Sequence, residues 1–174
     1  GASNAGARRA TAPRLVFLND ATVVTPGWLS RLLAALDDGA GVAGPSTNQS
    51  GDRATEAAPY RDLRGLLSFA ASRRERASVD VDKLSLFCLA IDRARFEALG
   101  GLDEGYGRGG FEDDELCMAV RRRGKAARLV ESAWVHHHGS VSFDRMSVTE
   151  RIQRFETNRH RFEQRWGVRW RAPV

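Results

Sequence analysis

At 174 residues, with 42% hydrophobic and 28% charged residues, the chain is long enough for one core that buries about 70% of its unfolded surface. Its two cysteines, Cys88 and Cys117, lie in the apolar contexts LFCLAI and ELCMAV and read as buried thiols in a reducing, cytoplasmic setting rather than as a disulfide framework or a CxxC metal site. The formal charge of +5 is concentrated in residues 150–174, where seven Arg stand against three Glu, and no apolar run approaches the roughly 18 residues of a membrane span.

In chain order, residues 2–10 read as a short helix, and RLVFL, residues 14–18, as a buried strand that runs into Asn19-Asp20. Thr25 is placed to cap a helix with Pro26 at its first position. Trp28, Leu29, Leu32, Leu33 and Leu36 then recur on one face until Asp38-Gly39. Residues 41–44 form a second short strand that opens into the turn-rich PSTNQSGDRATEAAP. Residues 60–76 have helical spacing, SRRERASVDVD is a polar connector, and residues 84–91 are a buried strand. Asp92 caps the next helix, which points Phe96 and Leu99 inward and stops at Gly100-Gly101.

The glycine-rich GLDEGYGRGG leads to an acidic helix over residues 112–123, followed by strand-like ARLV and AWVHHH. Ser147 and Glu150 have capping-box spacing ahead of a last helix whose apolar face is Ile152, Phe155, Phe162 and Trp166. Strands alternating with helices predict a layered α/β fold, in one domain over residues 1–174.

Three polar constellations stand out. Asp is disfavoured inside strands, so Asn19-Asp20 marks a strand's carboxyl end, where open α/β sheets place ligands; an ordinary turn explains the pair as well. In Glu112-Asp113-Asp114-Glu115 the helix dipole accounts for one or two acids. Asp113 lies on the side of Leu116 and Cys117, where burial raises a carboxyl pKa into a range useful for a general base. In His136-His137-His138, strand alternation puts His137 on the Val135 face and its two neighbours on the other, so the three cannot serve one ion. One of them, with a carboxylate from elsewhere, suits a divalent metal. There is no HExxH, GxSxG, P-loop or Cys/His zinc spacing.

Taken in order, LVFLNDATVVTPGWLSRLLAAL, LFCLAIDRARFEALGGLDEGYGRGGFEDDELCMAVRRRG, WVHHHGSVSF and NRHRFEQRWG resemble the family 2 glycosyltransferases, inverting enzymes of the GT-A fold that use nucleotide sugars. The resemblance implies a partial GT-A-like layered fold with a mixed, mainly parallel sheet flanked by helices. It implies Asp113 as general base with Glu112 beside it, and Asp20 and His137 at a Mn²⁺ or Mg²⁺ site. Asn19, Trp28, Asn48, Asp114 and His136 are the implied substrate-binding residues. The implied partners are a nucleotide-sugar donor and a saccharide acceptor, with no nucleic acid and no membrane span, and the implied role is in bacterial surface polysaccharide.

Two departures accompany the resemblance. Ala21 stands where the family's metal motif usually ends in Asp. The chain also begins inside a segment that family members precede with nucleotide-binding βα units, so it is expected to fold, to be catalytically silent alone, and to form a homo-oligomer through a bare sheet edge. Two other classes fit the sequence less fully. One is a non-catalytic carbohydrate- or protein-binding module derived from this fold. The other is a nucleic-acid binder working through the basic last helix.

Overall fold

The computed structural model describes residues 1–107, 109–139 and 147–172. Helix α1 (Ala2–Arg9) leads into β1 (Arg14–Leu18) and, after a tight turn, β2 (Thr22–Val24). Next come α2 (Trp28–Asp37), β3 (Val42–Ser46), α3 (Leu63–Ser72), β4 (Ser78–Val81), β5 (Cys88–Asp92) and α4 (Arg93–Ala98). A 3-10 turn over Glu104–Tyr106, α5 (Glu112–Arg122), β6 (Ala127–His137) and α6 (Val148–Trp166) complete the described elements.

The sheet runs in the order β1-β5-β3-β6-β2, with β4 also paired to β6. Strand alternation sorts its side chains onto two faces. Leu89 and Ile91 of β5 join Val42, Leu116 and Val120 beneath α4 and α5. Cys88 and Ala90 join Ala43, Leu32 and Leu36 beneath α2. Every residue of β3 is buried, as expected of a strand covered on both sides.

The expected mixed α/β layering is present, but the balance of strand directions differs from the expectation. Among the described pairings, only β3 with β6 is parallel; β1 with β5, β3 with β5, β4 with β6 and β2 with β6 are antiparallel. Two of those antiparallel pairs, with β4 and with β2, are made by β6. Residues read as two short strands form one 11-residue strand, whose first half lies between β3 and β4 while its end takes β2. The β3–β6 register breaks after Pro45, which has no N–H to donate to the ladder.

Local expectations changed where tertiary partners intervened. Thr25 caps no helix: its hydroxyl donates to the Trp134 carbonyl at 2.6 Å, and α2 starts from Gly27 in the left-handed region (φ 80°). Asp92 precedes α4 without capping it, because its carboxylate is drawn to Arg14 and to Arg95 at 2.9 Å. The polar connector contains strand β4, since β6 offers it a free edge. The strand expected over 84–91 starts only at Cys88, because residues 83–87 cross the head of α5. The Ser147–Glu150 capping box forms as expected.

On α6, Phe162 is buried but Ile152 is 58% exposed, so the helix docks through its second half. Cys88 and Cys117 are free, buried thiols whose pKa values burial pushes up to about 12. Among the described residues, no helix is long and apolar enough to cross a membrane.

Candidate functional site

The run Glu112-Asp113-Asp114-Glu115 opens α5, and the helical turn sends its four carboxylates in different directions. Asp114 and Glu115 point into the protein. Asp114 accepts from Trp170 Nε1 at 2.7 Å and pairs with Lys83 Nζ at 2.6 Å. Glu115 accepts from the Tyr106 hydroxyl at 3.0 Å and Trp166 Nε1 at 2.6 Å, and pairs with Arg165 at 2.7 Å. These two acids moor α6 and the following chain to α5. The expectation that Asp114 binds substrate therefore meets a carboxylate with both oxygens engaged.

Glu112 and Asp113 face outward into a cleft of about 890 Å³ that Asn19, Ser50, Lys83 and His137 also line. Glu112 Oε2 is buried and, among the described residues, has no hydrogen-bond partner. Asp113 is 17% exposed. Burial pushes its carboxyl up to about 7; the Lys83 ammonium at 3.6 Å opposes that rise, and the charges of Asp114 and Glu112 add to it. Burial by itself would pull Lys83 down, yet Asp113 and Asp114 hold it above the usual lysine range.

A second cleft, about 520 Å³, meets the first at Lys83, Gly110 and Asp113. Its walls carry Phe111, Phe155 and Trp170, three rings whose centroids lie 5.2–5.4 Å apart. Asp113 thus stands in the partition between a polar and an aromatic cavity.

The backbone entering α5 is built for this placement. Phe111 has a positive φ of 81°, rare for a residue with a side chain, and follows Gly109 and Gly110 in the same region. Its ring is held by Phe155, Phe162 and Trp170. Asn158, buried on α6, donates to the carbonyls of Tyr106 at 3.2 Å and Gly110 at 2.9 Å and so pins the loop from inside. Phe111→Ala keeps the strained backbone and removes the ring, and is expected to cost about 3–4 kcal/mol, measurable as a lower urea midpoint.

His137 reaches the cleft from the end of β6 and is 6% exposed. Asn48 acts as a surrogate strand for it: the His137 N–H donates to Asn48 Oδ1 at 2.8 Å, and Asn48 Nδ2 donates to the His137 carbonyl at 2.9 Å. Nδ1 lies 2.8 Å from the Gln49 carbonyl, which only accepts, so Nδ1 carries the proton. Nε2 is left as an acceptor, buried and, among the described residues, without a partner. The ring stacks on Phe87 at 5.1 Å.

Other expected site residues lie elsewhere. His136, on the opposite face of β6, bonds the Tyr60 hydroxyl at 2.7 Å, and burial there holds its pKa below the ordinary value. Trp28 packs on the α2 side of the sheet. Asn48 spends its amide on β6. Asn19 lines the cleft and accepts the Ala21 N–H at 2.8 Å. Asp20 is exposed in the turn between β1 and β2, two residues before Thr22, which pairs with His137. It is not part of the cleft wall. The structure thus brings Asn19, Glu112, Asp113 and His137 together and leaves Asp20, Trp28 and His136 outside.

No trio of His, Cys, Asp or Glu among the described residues is arranged to hold a metal ion. The free Nε2 of His137 is chemically suited to one ligand position of a divalent cation. Lys83 was missed in the sequence. Its one signal there was rarity, since it and Lys125 are the only lysines among 27 basic residues.

Comparison with known proteins identifies a family and a fold. The profile of the family described as glycosyl transferase family 2 matches residues 1–96. Uncharacterized protein y4gI of Sinorhizobium fredii (strain NBRC 101917 / NGR234) is 28% identical over 159 residues, 85% of this chain. The chain spans only 18% of that relative's length. The crystal structure of GalNAc-T7 with UDP, GalNAc and Mn²⁺ superimposes with a TM-score of 0.60 at 20% identity, over 78% of this chain and 29% of that one.

Proposed function

The chain belongs to glycosyl transferase family 2, and from that premise we propose that it forms the acceptor side and metal side of an inverting glycosyltransferase. It moves a sugar from a nucleotide-sugar donor to a saccharide or other hydroxyl acceptor. The observation that carries this reading is Asp113, a carboxylate in the partition between a polar and an aromatic cleft. A single displacement needs one base on the line between donor and acceptor.

The donor's diphosphate and sugar occupy the 890 Å³ cleft, and the acceptor rests an apolar face on Phe155 and Trp170. The acceptor hydroxyl attacks the anomeric carbon and gives its proton to Asp113, while the bond from that carbon to the diphosphate oxygen breaks and the diphosphate leaves with the electron pair. The unpartnered Glu112 Oε2 accepts from a sugar hydroxyl. A divalent cation, Mn²⁺ or Mg²⁺, would take His137 Nε2 as a ligand and would supply charge neutralisation for the leaving diphosphate; Asp20, exposed on the neighbouring turn and off the cleft wall, would have to turn inward to join it. A role in bacterial surface polysaccharide is supported by the resemblance. A non-catalytic binding module derived from this fold is favoured by Ala21, which offers no metal ligand. The nucleic-acid reading is less favoured, because three of the seven arginines of residues 150–174, Arg159, Arg161 and Arg165, are paired to Glu156, Asp103 and Glu115.

The test is nucleotide binding by the full-length protein. Calorimetry with UDP, GDP and TDP, with and without Mn²⁺, should show metal-enhanced affinity for one of them. His137→Ala should weaken the metal-dependent part roughly 10- to 100-fold and leave metal-free binding unchanged. Equal Mn²⁺ enhancement in His137→Ala would exclude the cation role, and release of no nucleoside diphosphate from any of the corresponding sugars would favour the binding module.

A further inference from the structure

We propose that Lys83 is the positioning residue for the base: its ammonium, wedged between the carboxylates that open α5, keeps Asp113 charged and turned toward the partition of the two clefts. The inference rests on the reading of Asp113 as base.

Lys83 is fixed by the chain that follows it. After it the Leu84 N–H donates to Cys117 Sγ at 3.3 Å, and the Ser85 N–H donates to Asp52 Oδ2. Asp52 is itself held, its Oδ1 accepting from the Ala54 N–H at 2.9 Å and the Ser50 hydroxyl at 2.6 Å. The chain therefore crosses the head of α5 in a set path, and the Lys83 side chain, 15% exposed, runs to the carboxylates. It lines both clefts of the site and a third cavity of about 860 Å³ behind them.

Its two partners differ. Asp114 gives Oδ2 to Nζ at 2.6 Å and Oδ1 to Trp170 Nε1, so both its oxygens are used and it acts as the permanent counter-ion. Asp113 gives Oδ1 to the Asp114 N–H at 3.0 Å and presents Oδ2 to Nζ at the longer distance of 3.6 Å. That longer contact steers the carboxylate without consuming it.

Charge counting shows what the lysine prevents. Glu112, Asp113 and Asp114 share the helix start, and the Asp52 charge also acts on Lys83. The other groups around Asp113 are the Cys117 thiol one turn on, the Trp170 indole, His137 and Arg14 on the wall of the first cleft, and Arg151, Arg154 and Glu156 on the wall of the second. Lys83 is the cation that pairs with both Asp113 and Asp114. Without it the acids must take up a proton, and Asp113, poorly hydrated beside two like charges, is where it goes. A protonated Asp113 cannot accept a hydroxyl proton.

The experiment follows the Asp113 carboxyl carbon by ¹³C NMR against pH in Asp-labelled chain, with Asp113→Asn identifying the signal. Lys83→Met keeps the apolar stem and removes the charge, and should raise the titration midpoint by about one unit or more, a tenfold weaker release of the proton. Lys83→Arg should stay near the wild-type midpoint. Asp114→Asn, which removes a like charge and releases Lys83 toward Asp113, should lower it, and this arm stands even if Lys83→Met does not fold. In the full-length enzyme the acidic limb of kcat/KM should move with the midpoint, with the rate recovered at alkaline pH. An unmoved midpoint in Lys83→Met, or an unmoved or raised one in Asp114→Asn, would overturn the role of Lys83. Normal transfer by Asp113→Asn would instead overturn the base, while the titration result would stand.

Discussion

On the proposed reaction, Asp113→Asn is expected to cut sugar transfer by about 10²–10⁴-fold, the usual contribution of a positioned base, with nucleotide binding little changed. The same substitution should stabilise the fold above neutral pH. The Asp113 carboxyl is raised by burial from 3.8 to about 7, so the folded state holds the proton more tightly than the unfolded chain. The stability this confers is complete below about pH 4 and is lost as pH rises to about 7. Asn at this position is neutral throughout and escapes that loss. Thermal melts should therefore show the variant and the parent diverging from pH 4 to 8, in favour of the variant, by an amount on the order of a few kcal/mol. Near-normal turnover would refute the catalytic assignment, and a pH-independent gap would refute the buried, raised carboxyl.

Arg73→Met is expected to be the most destabilising change outside the site. Arg73 follows α3 and is only 2% exposed. Its guanidinium forks onto Glu56, donates from Nε to the Glu131 carbonyl at 3.1 Å, and lies 4.9 Å from the Trp134 ring centroid and 5.4 Å from that of Phe69. Met fills much of the volume but leaves the half-exposed Arg76 at 3.0 Å as the remaining ion-pair partner of Glu56 among the described residues. Removing one member of such a pair costs about 3–5 kcal/mol, a large share of a domain's stability. The Arg73 hydrogen bonds hold the Glu56 carboxyl below its usual range against the opposing effect of burial. This contribution is present above about pH 4.5 and disappears as the pH falls through the depressed value. Urea midpoints should fall sharply at pH 7 and converge with the parent in acid. Double-mutant analysis with Glu56→Gln should recover a coupling well above that of an exposed pair.

Local pattern was enough for much of the framework. The β1 strand, the amphipathic faces of α2 and α5, the Ser147–Glu150 capping box and the two buried thiols each depend on residues near one another in the chain. The alternation of His136, His137 and His138 about the strand also needed no partner to predict, and it correctly separated His137 from His136. Asp113 was legible for the same reason, since helical spacing alone puts it on the side of Leu116 and Cys117.

Tertiary structure decided everything that depends on who occupies the neighbouring position. Strand β4 and the single long β6 exist because each completes the other's hydrogen-bond ladder, which no window of SRRERASVDVD reveals. Thr25 abandoned its capping role for a carbonyl 109 residues away. Asn48, read as a ligand for substrate, became a piece of sheet for His137. Asp20 lies just before β2, which pairs with the end of β6 that carries His137, yet the turn that connects β1 to β2 leaves Asp20 exposed while His137 lines the cleft. Four consecutive acids look alike in the sequence; helix geometry and their distant partners Lys83, Trp170, Tyr106 and Arg165 make two of them anchors and leave two facing the cleft. By itself the sequence determined the family and the layered class, because those follow from short-range order, and it singled out Asp113, whose role as base is proposed. Which polar groups remain free to act was settled only when long-range contacts had satisfied the others, since a buried donor or acceptor takes whatever partner the fold supplies.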